Sequence, residues 1–135
     1  MRVDLAGWTA GVLLAGEGAA LAVLAALQVV AIAGSDTAEI STAIALLVLT
    51  LIGAAAVVAF GVATIRDLSW GRSGGIVVQL LILAVAGGAA TGSYAHPLVG
   101  LGLAVPAVVV FVLLVVAVRR AAQRKGSPPS GEPSR

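Results

Sequence analysis

Charged side chains divide this chain into four long intervals, and those intervals constrain its fold more than any other feature. Between Asp4 and Asp36 lie 31 residues interrupted only by Glu17, between Glu39 and Arg66 lie 26, between Arg72 and His96 lie 23, and between Pro97 and Arg119 lie 21. A charge in hydrocarbon is costly, so such residues act as fences around membrane spans. Each interval exceeds the about 20 residues that a helix needs, at about 1.5 Å per residue, to cross about 30 Å of hydrocarbon. Membrane strands would alternate polar and apolar residues over about 10 positions, and residues 108–118 do not alternate.

The expected fold is therefore all-α, a membrane-spanning four-helix bundle with spans at about 7–33, 40–65, 74–95 and 98–118. The short connections make sequential helices antiparallel neighbours in up-down-up-down order. The transmembrane domain is expected over 1–122, followed by a basic, Pro- and Ser-rich tail over 123–135 that has too little apolar surface to pack and is expected to be disordered. Composition agrees. The chain is 60% hydrophobic and 10% charged with a mean hydropathy of +1.12, where soluble domains carry about 25% charged residues. Ala31-Ile32-Ala33 resembles a signal-peptidase site, but the apolar run before it is too long for a signal h-region and lacks a clearly basic start. An uncleaved first helix is expected.

Orientation follows from the basic residues. Arg2 precedes span one, Arg66 and Arg72 join spans two and three, and Arg119, Arg120, Arg124, Lys125 and Arg135 follow span four. All eight fall on one side of a four-span arrangement, while the opposite loops carry Asp36, Glu39 and His96. The positive-inside rule then places both termini in the cytoplasm. Arg119, Arg120, Arg124 and Lys125 form a basic stop that can also contact anionic lipid headgroups. They have no interleaved aromatic residue, which argues against nucleic-acid binding. Trp8, Trp70 and Tyr94 stand near span ends, as interfacial anchors do.

Small residues recur at helical spacing. Gly7, Gly11 and Ala15 share one face of span one, and Gly18, Ala22 and Ala26 another. Thr50, Gly53, Val57, Gly61 and Thr64 share a face of span two, and Gln79, Ala86, Ala90 and Ser93 one of span three. These faces are expected to pack inside the bundle. Residues 108–118 of span four are bulky and apolar apart from Ala117, and much of that half is expected to face lipid or a second copy. Pro106 is expected to kink the helix.

Glu17 is the one ionisable side chain deep inside a span, which makes it the site to consider first. Gly16 and Gly18 flank it and let another backbone or a ligand approach. No intramembrane cation is available to it, so the expected partners are Gln28, on nearly the same helix face, and Gln79 in span three, with Thr50 as a further hydroxyl. Two readings stand for this polar group. In the first, a protonated carboxyl donates a hydrogen bond across the bundle and fixes helix register. In the second, Glu17 is a proton- or cation-coupled site. With no Cys and one His, the chain offers neither a thiol nucleophile nor a common zinc site, and no acid, base and nucleophile converge. No metal, no cofactor and no enzymatic activity are expected.

Two resemblances accompany these residues. A carboxyl midway along the first of four spans, as at Glu17, resembles small four-helix multidrug transporters, which would imply proton-coupled export. Those transporters line their pocket with aromatic residues, whereas spans two and three here offer Phe60 and Tyr94. More of the chain is similar to uncharacterised small four-helix integral membrane proteins of high-GC Gram-positive bacteria. That likeness rests on Glu17, on Arg66-Asp67-Leu68-Ser69-Trp70-Gly71-Arg72, on Gln79-Leu80-Leu81 and on Arg119-Arg120-Ala121. It implies a multi-pass protein of the bacterial cytoplasmic membrane and no particular activity. The first expectation is thus a non-enzymatic structural or accessory protein, and the alternative a small proton-coupled transporter using Glu17. Its partners would be the lipid bilayer and either a second copy of the chain or a larger membrane complex.

Overall fold

A computed structural model describes residues 4–34, 38–92 and 95–126. They form four helices: α1 (Leu5–Ala33), α2 (Ile40–Ile65), α3 (Ser69–Thr91) and α4 (Pro97–Gly126). Each is long and apolar enough to cross a membrane. Neighbours around the bundle are α1–α2, α2–α3, α3–α4 and α4–α1, with α1–α2 and α3–α4 the most extensive pairings. This leaves α1 diagonally opposite α3. The Arg2 and Asp36 positions, the Ser93 end of the span-three face, the Tyr94 anchor and the tail from 127 onward lie outside the described residues.

In hydrocarbon, helices gain little from hiding apolar surface, so close backbone packing has to hold them together. That is what α1 and α2 achieve. A methyl group added at Gly11 would lie 2.9 Å from the Gly61 carbonyl oxygen, and one at Gly18 would lie 3.2 Å from that of Ala54. Gly18 therefore shares the α2-facing side of α1 with Gly11, and buried Ala25 continues the line at heptad spacing. The separate Gly18, Ala22 and Ala26 face does not pack, since Ala22 and Ala26 are exposed. Gly7 sits instead beside Ala117 of α4. On α2, Val57, Gly61 and Thr64 are buried as the sequence predicts, together with Ala54.

The bundle centre is a small apolar cluster of Ala10, Leu14, Val57, Val110 and Leu114. Residues Ala107, Val110, Leu114 and Ala117 repeat at three- and four-residue steps and form the inward stripe of α4. The half of span four expected to face lipid is thus divided, with Val108, Val109, Val112 and Val118 on the outside. Pro106 is exposed, and α4 continues through it without interruption. The carbonyl it deprives of a partner belongs to Gly102, also on the outer face.

Two boundaries differ most from the sequence expectation. α3 begins at Ser69 rather than near 74, because Arg72 does not act as a fence. It lies inside the first turn of α3, buried, and pairs with Asp67. Asp67 occupies the left-handed region at φ 61°. There it closes α2 with a Schellman pattern, its N–H donating to Thr64 O and that of Leu68 to Ala63 O. α4 runs to Gly126, so residues 123–126, assigned to the tail, are helical. Their Gln, Arg and Lys are good helix formers that continue an established helix at little cost.

The basic residues at 66, 72, 119, 120, 124 and 125 all lie at one end of the bundle, and Glu39 and His96 lie at the other. Arg120 Nη1 approaches Asp4 Oδ1 at 3.6 Å, tying the end of α4 to the start of α1. Trp70 stacks edge-to-face on Phe60, with ring centroids 5.8 Å apart. Gly74 leaves the space in which the Phe60 ring lies.

Candidate functional site: a polar pair across the bundle

Leu14 of α1 and Gly75 of α3 face each other in the core. A methyl group at Gly75 would lie 3.0 Å from Leu14 Cδ2. One turn further along each helix come Glu17 and Gln79. α1 and α3 run in the same direction in an up-down-up-down bundle, so the same offset brings this second pair together. Gln79 Nε2 donates a hydrogen bond to Glu17 Oε2 at 2.6 Å, across the diagonal of the bundle.

The two partners differ in their surroundings. Gln79 is 0% exposed and ranks with Leu14, Leu114 and Val110 among the largest wholly buried side chains. Its Oε1 is buried with no hydrogen-bond partner. Glu17 is only partly buried, and beside it a methyl group added at Gly16 would meet nothing within 4 Å. The pair thus consists of a carboxyl with an open flank and an amide enclosed by the core. An amide can both donate and accept, and here its acceptor is unmatched by any donor among the described residues.

Of the partners expected for Glu17, the structure brings in Gln79 alone. Gln28 is eleven residues further along α1, about 16 Å by helical rise. It lies beside α2, near Ala43 and Leu46, with its Oε1 buried and unpartnered. Sharing a helix face is not proximity along the axis. Thr50 donates to the Leu46 carbonyl within its own helix, as hydroxyl groups in membrane helices commonly do. At the basic end, Arg119, Arg120, Arg124 and Lys125 are all exposed, and Arg120 also approaches Asp4 at 3.6 Å. The Asp4–Arg120 and Asp67–Arg72 pairs are contacts that charge counting alone does not reveal. The i to i+5 spacing of Asp67 and Arg72 across a helix start is the one sequence signal for either.

Comparison of the chain with family models, with curated proteins and with solved structures returns no match in any of the three. The functional reading accordingly rests on the geometry.

Proposed function

We propose that this chain is a non-enzymatic integral protein of the bacterial cytoplasmic membrane, structural or accessory to a larger complex, in which Glu17 and Gln79 form an internal clamp that sets helix register. The observation carrying this reading is the 2.6 Å hydrogen bond between them. The one ionisable group deep in a span is held by a side chain that the core encloses completely. Interhelical hydrogen bonds in membranes contribute modestly, about 0.6 kcal/mol on average. Yet a polar pair has few alternative registers, and so it selects one packing.

Two observations favour the transporter reading. Glu17 has an open side at Gly16, and Gln79 retains an unmatched acceptor beside it. Proton release from purified protein on addition of a panel of hydrophobic cations separates the two readings, with Glu17→Gln as the comparison. The clamp reading expects no release from either protein and a retained fold in the variant. Release by the wild type alone would put exchange of protons for ligand ahead.

Both termini belong in the cytoplasm on this reading, with Arg119, Arg124 and Lys125 against anionic headgroups. A reporter fused after Arg135 should therefore read cytoplasmic, and a Cys introduced at Thr37 should react with an impermeant reagent from outside. An external C-terminus would reverse the orientation.

A further inference from the structure

Packing between the α1–α2 hairpin and the α3–α4 hairpin stops partway along the bundle. Gly7 lies beside Ala117. Glu17 is ten residues further along α1, and Ala107 ten residues back along α4, about 15 Å in each case. Glu17, its partner Gln79 and Ala107 therefore form one layer. From the basic end up to this layer, contacts cross between the hairpins: Gly7 lies by Ala117, Gly71 by Ala63, and Gly75 by Leu14, and Trp70 stacks on Phe60. Beyond it, the buried positions among the described residues are Gly18, Ala25, Ala54, Ala86 and Gly100. These pack within their own hairpins. Gly18 lies against Ala54, and a methyl group at Gly100 would lie 2.9 Å from Ala86 O, while Ala25 continues the Gly11 and Gly18 line.

The inward leucines record the same change. Leu14 and Leu114 are 0% exposed, whereas Leu24, seven residues beyond Glu17 on the same side of α1, is 47% exposed. Leu103, four residues before Ala107 on the inward stripe of α4, is 36% exposed. The two hairpins thus stand apart toward the Glu39 and His96 end, each still closely seamed along its own length. Pro106 adjoins Ala107, at the level where shared packing ends. It leaves the Gly102 carbonyl without its helical N–H, which makes this the point where α4 bends most easily. In lipid an exposed leucine costs little, and closing the gap would gain mainly dispersion contacts. Open and closed arrangements therefore lie near each other in free energy.

We propose that the two hairpins are stiff arms that open and close at the Glu39 and His96 end, hinged at the layer of Glu17, Gln79 and Pro106. Closure brings the Leu24 and Leu103 faces together, and the half nearer the basic end stays fixed. The motion goes beyond the clamp reading, since the polar pair marks the fulcrum whether or not Glu17 exchanges protons.

The chain has no Cys, so spin labels on introduced pairs report the motion by double electron–electron resonance on the full chain in lipid nanodiscs. Val30→Cys with Leu98→Cys spans the hairpins at the moving end. Val30→Cys with Ile44→Cys stays within one hairpin there, and Leu5→Cys with Arg119→Cys spans the hairpins at the basic end. All five positions are exposed. The first distance distribution should be about twice as broad as the other two, because displacement about a hinge grows with distance from it. Pro106→Ala, which returns an N–H to the Gly102 carbonyl, should narrow the first distribution toward the others. Three equally narrow distributions would overturn the proposal in favour of a fixed splay, and three equally broad ones in favour of a loose bundle with no fulcrum. Undiminished breadth in Pro106→Ala would overturn the placement of the hinge at Pro106.

Discussion

Gly61→Ala should destabilise the bundle by about 2–3 kcal/mol, whereas Gly53→Ala, one turn-pair earlier on the same helix, should be neutral or stabilise it by up to about 1 kcal/mol. The contrast comes from what the added methyl group meets. At Gly61 it would lie 2.7 Å from Ala15 N, 2.9 Å from Gly11 O and 3.0 Å from Ala15 Cα. All three are backbone atoms of α1, so no side chain can rotate away and the helices must separate. Separation removes dispersion contacts along the α1–α2 seam, and apolar lipid gives back only part of them. At Gly53 the same methyl group meets nothing within 4 Å, and only the better helix propensity of Ala remains. Unfolding in mixed micelles, followed by far-UV circular dichroism, measures both. Equal stability of the two variants would mean that the Gly11–Gly61 approach does not hold the hairpin together.

Which of these glycines matters could not be read from spacing. Gly53, Gly61 and Thr64 all fall on one predicted face, but a stripe of small residues only says that close approach is allowed. The span count, by contrast, was legible, because it depends on the cost of charge in hydrocarbon and on helix length, both local properties. The same rule misplaced the start of α3. Arg72 is a cation whose cost is reduced by Asp67, five residues earlier and across a helix terminus. A fence with a partner is no longer a fence. Span four shows the converse limit, since the buried Val110 is the same residue type as the exposed Val109 and Val112. Only the neighbouring helices decide which of them face the core.

At the basic end, Asp4 and Arg120 close the bundle between its first and last helices, so the charges there have two roles that composition cannot separate. Arg119, Arg124 and Lys125 are exposed, and in the proposed orientation each would contribute about 1 kcal/mol toward anionic headgroups. Arg120 instead lies within ion-pair distance of Asp4, a contact of the kind that contributes at most about 1 kcal/mol when exposed. The polar pair at the centre was legible only as a short list, with Glu17 certain by depth and its partner one of three. Gln28 satisfied the angular condition and failed the axial one, while Gln79 needed the relative register of α1 and α3, which emerges only from packing.

Gln79→Leu should cost about 1–3 kcal/mol, the largest effect of any substitution at the polar pair. Leu is close to Gln in size, so little cavity forms, and the loss isolates the polar interaction. What remains is the carboxyl of Glu17 facing an apolar core with its protein partner removed. Glu17→Gln should cost well under about 1 kcal/mol, because the new amide still accepts from Gln79 Nε2 and can also offer an N–H to the unmatched Gln79 Oε1. Replacing both residues by Leu removes donor and acceptor together, so the double variant should be more stable than the sum of the two single Leu variants predicts. The coupling energy of this cycle should fall between about 0.6 and 1.7 kcal/mol, the average and upper values found for interhelical hydrogen bonds in a membrane. Zero coupling would mean that the contact does not clamp α1 to α3. A positive coupling together with a loss of uniform packing in the double-Leu variant, seen as heterogeneous crosslinking between α1 and α3, would show the pair acting on register beyond its contribution to stability.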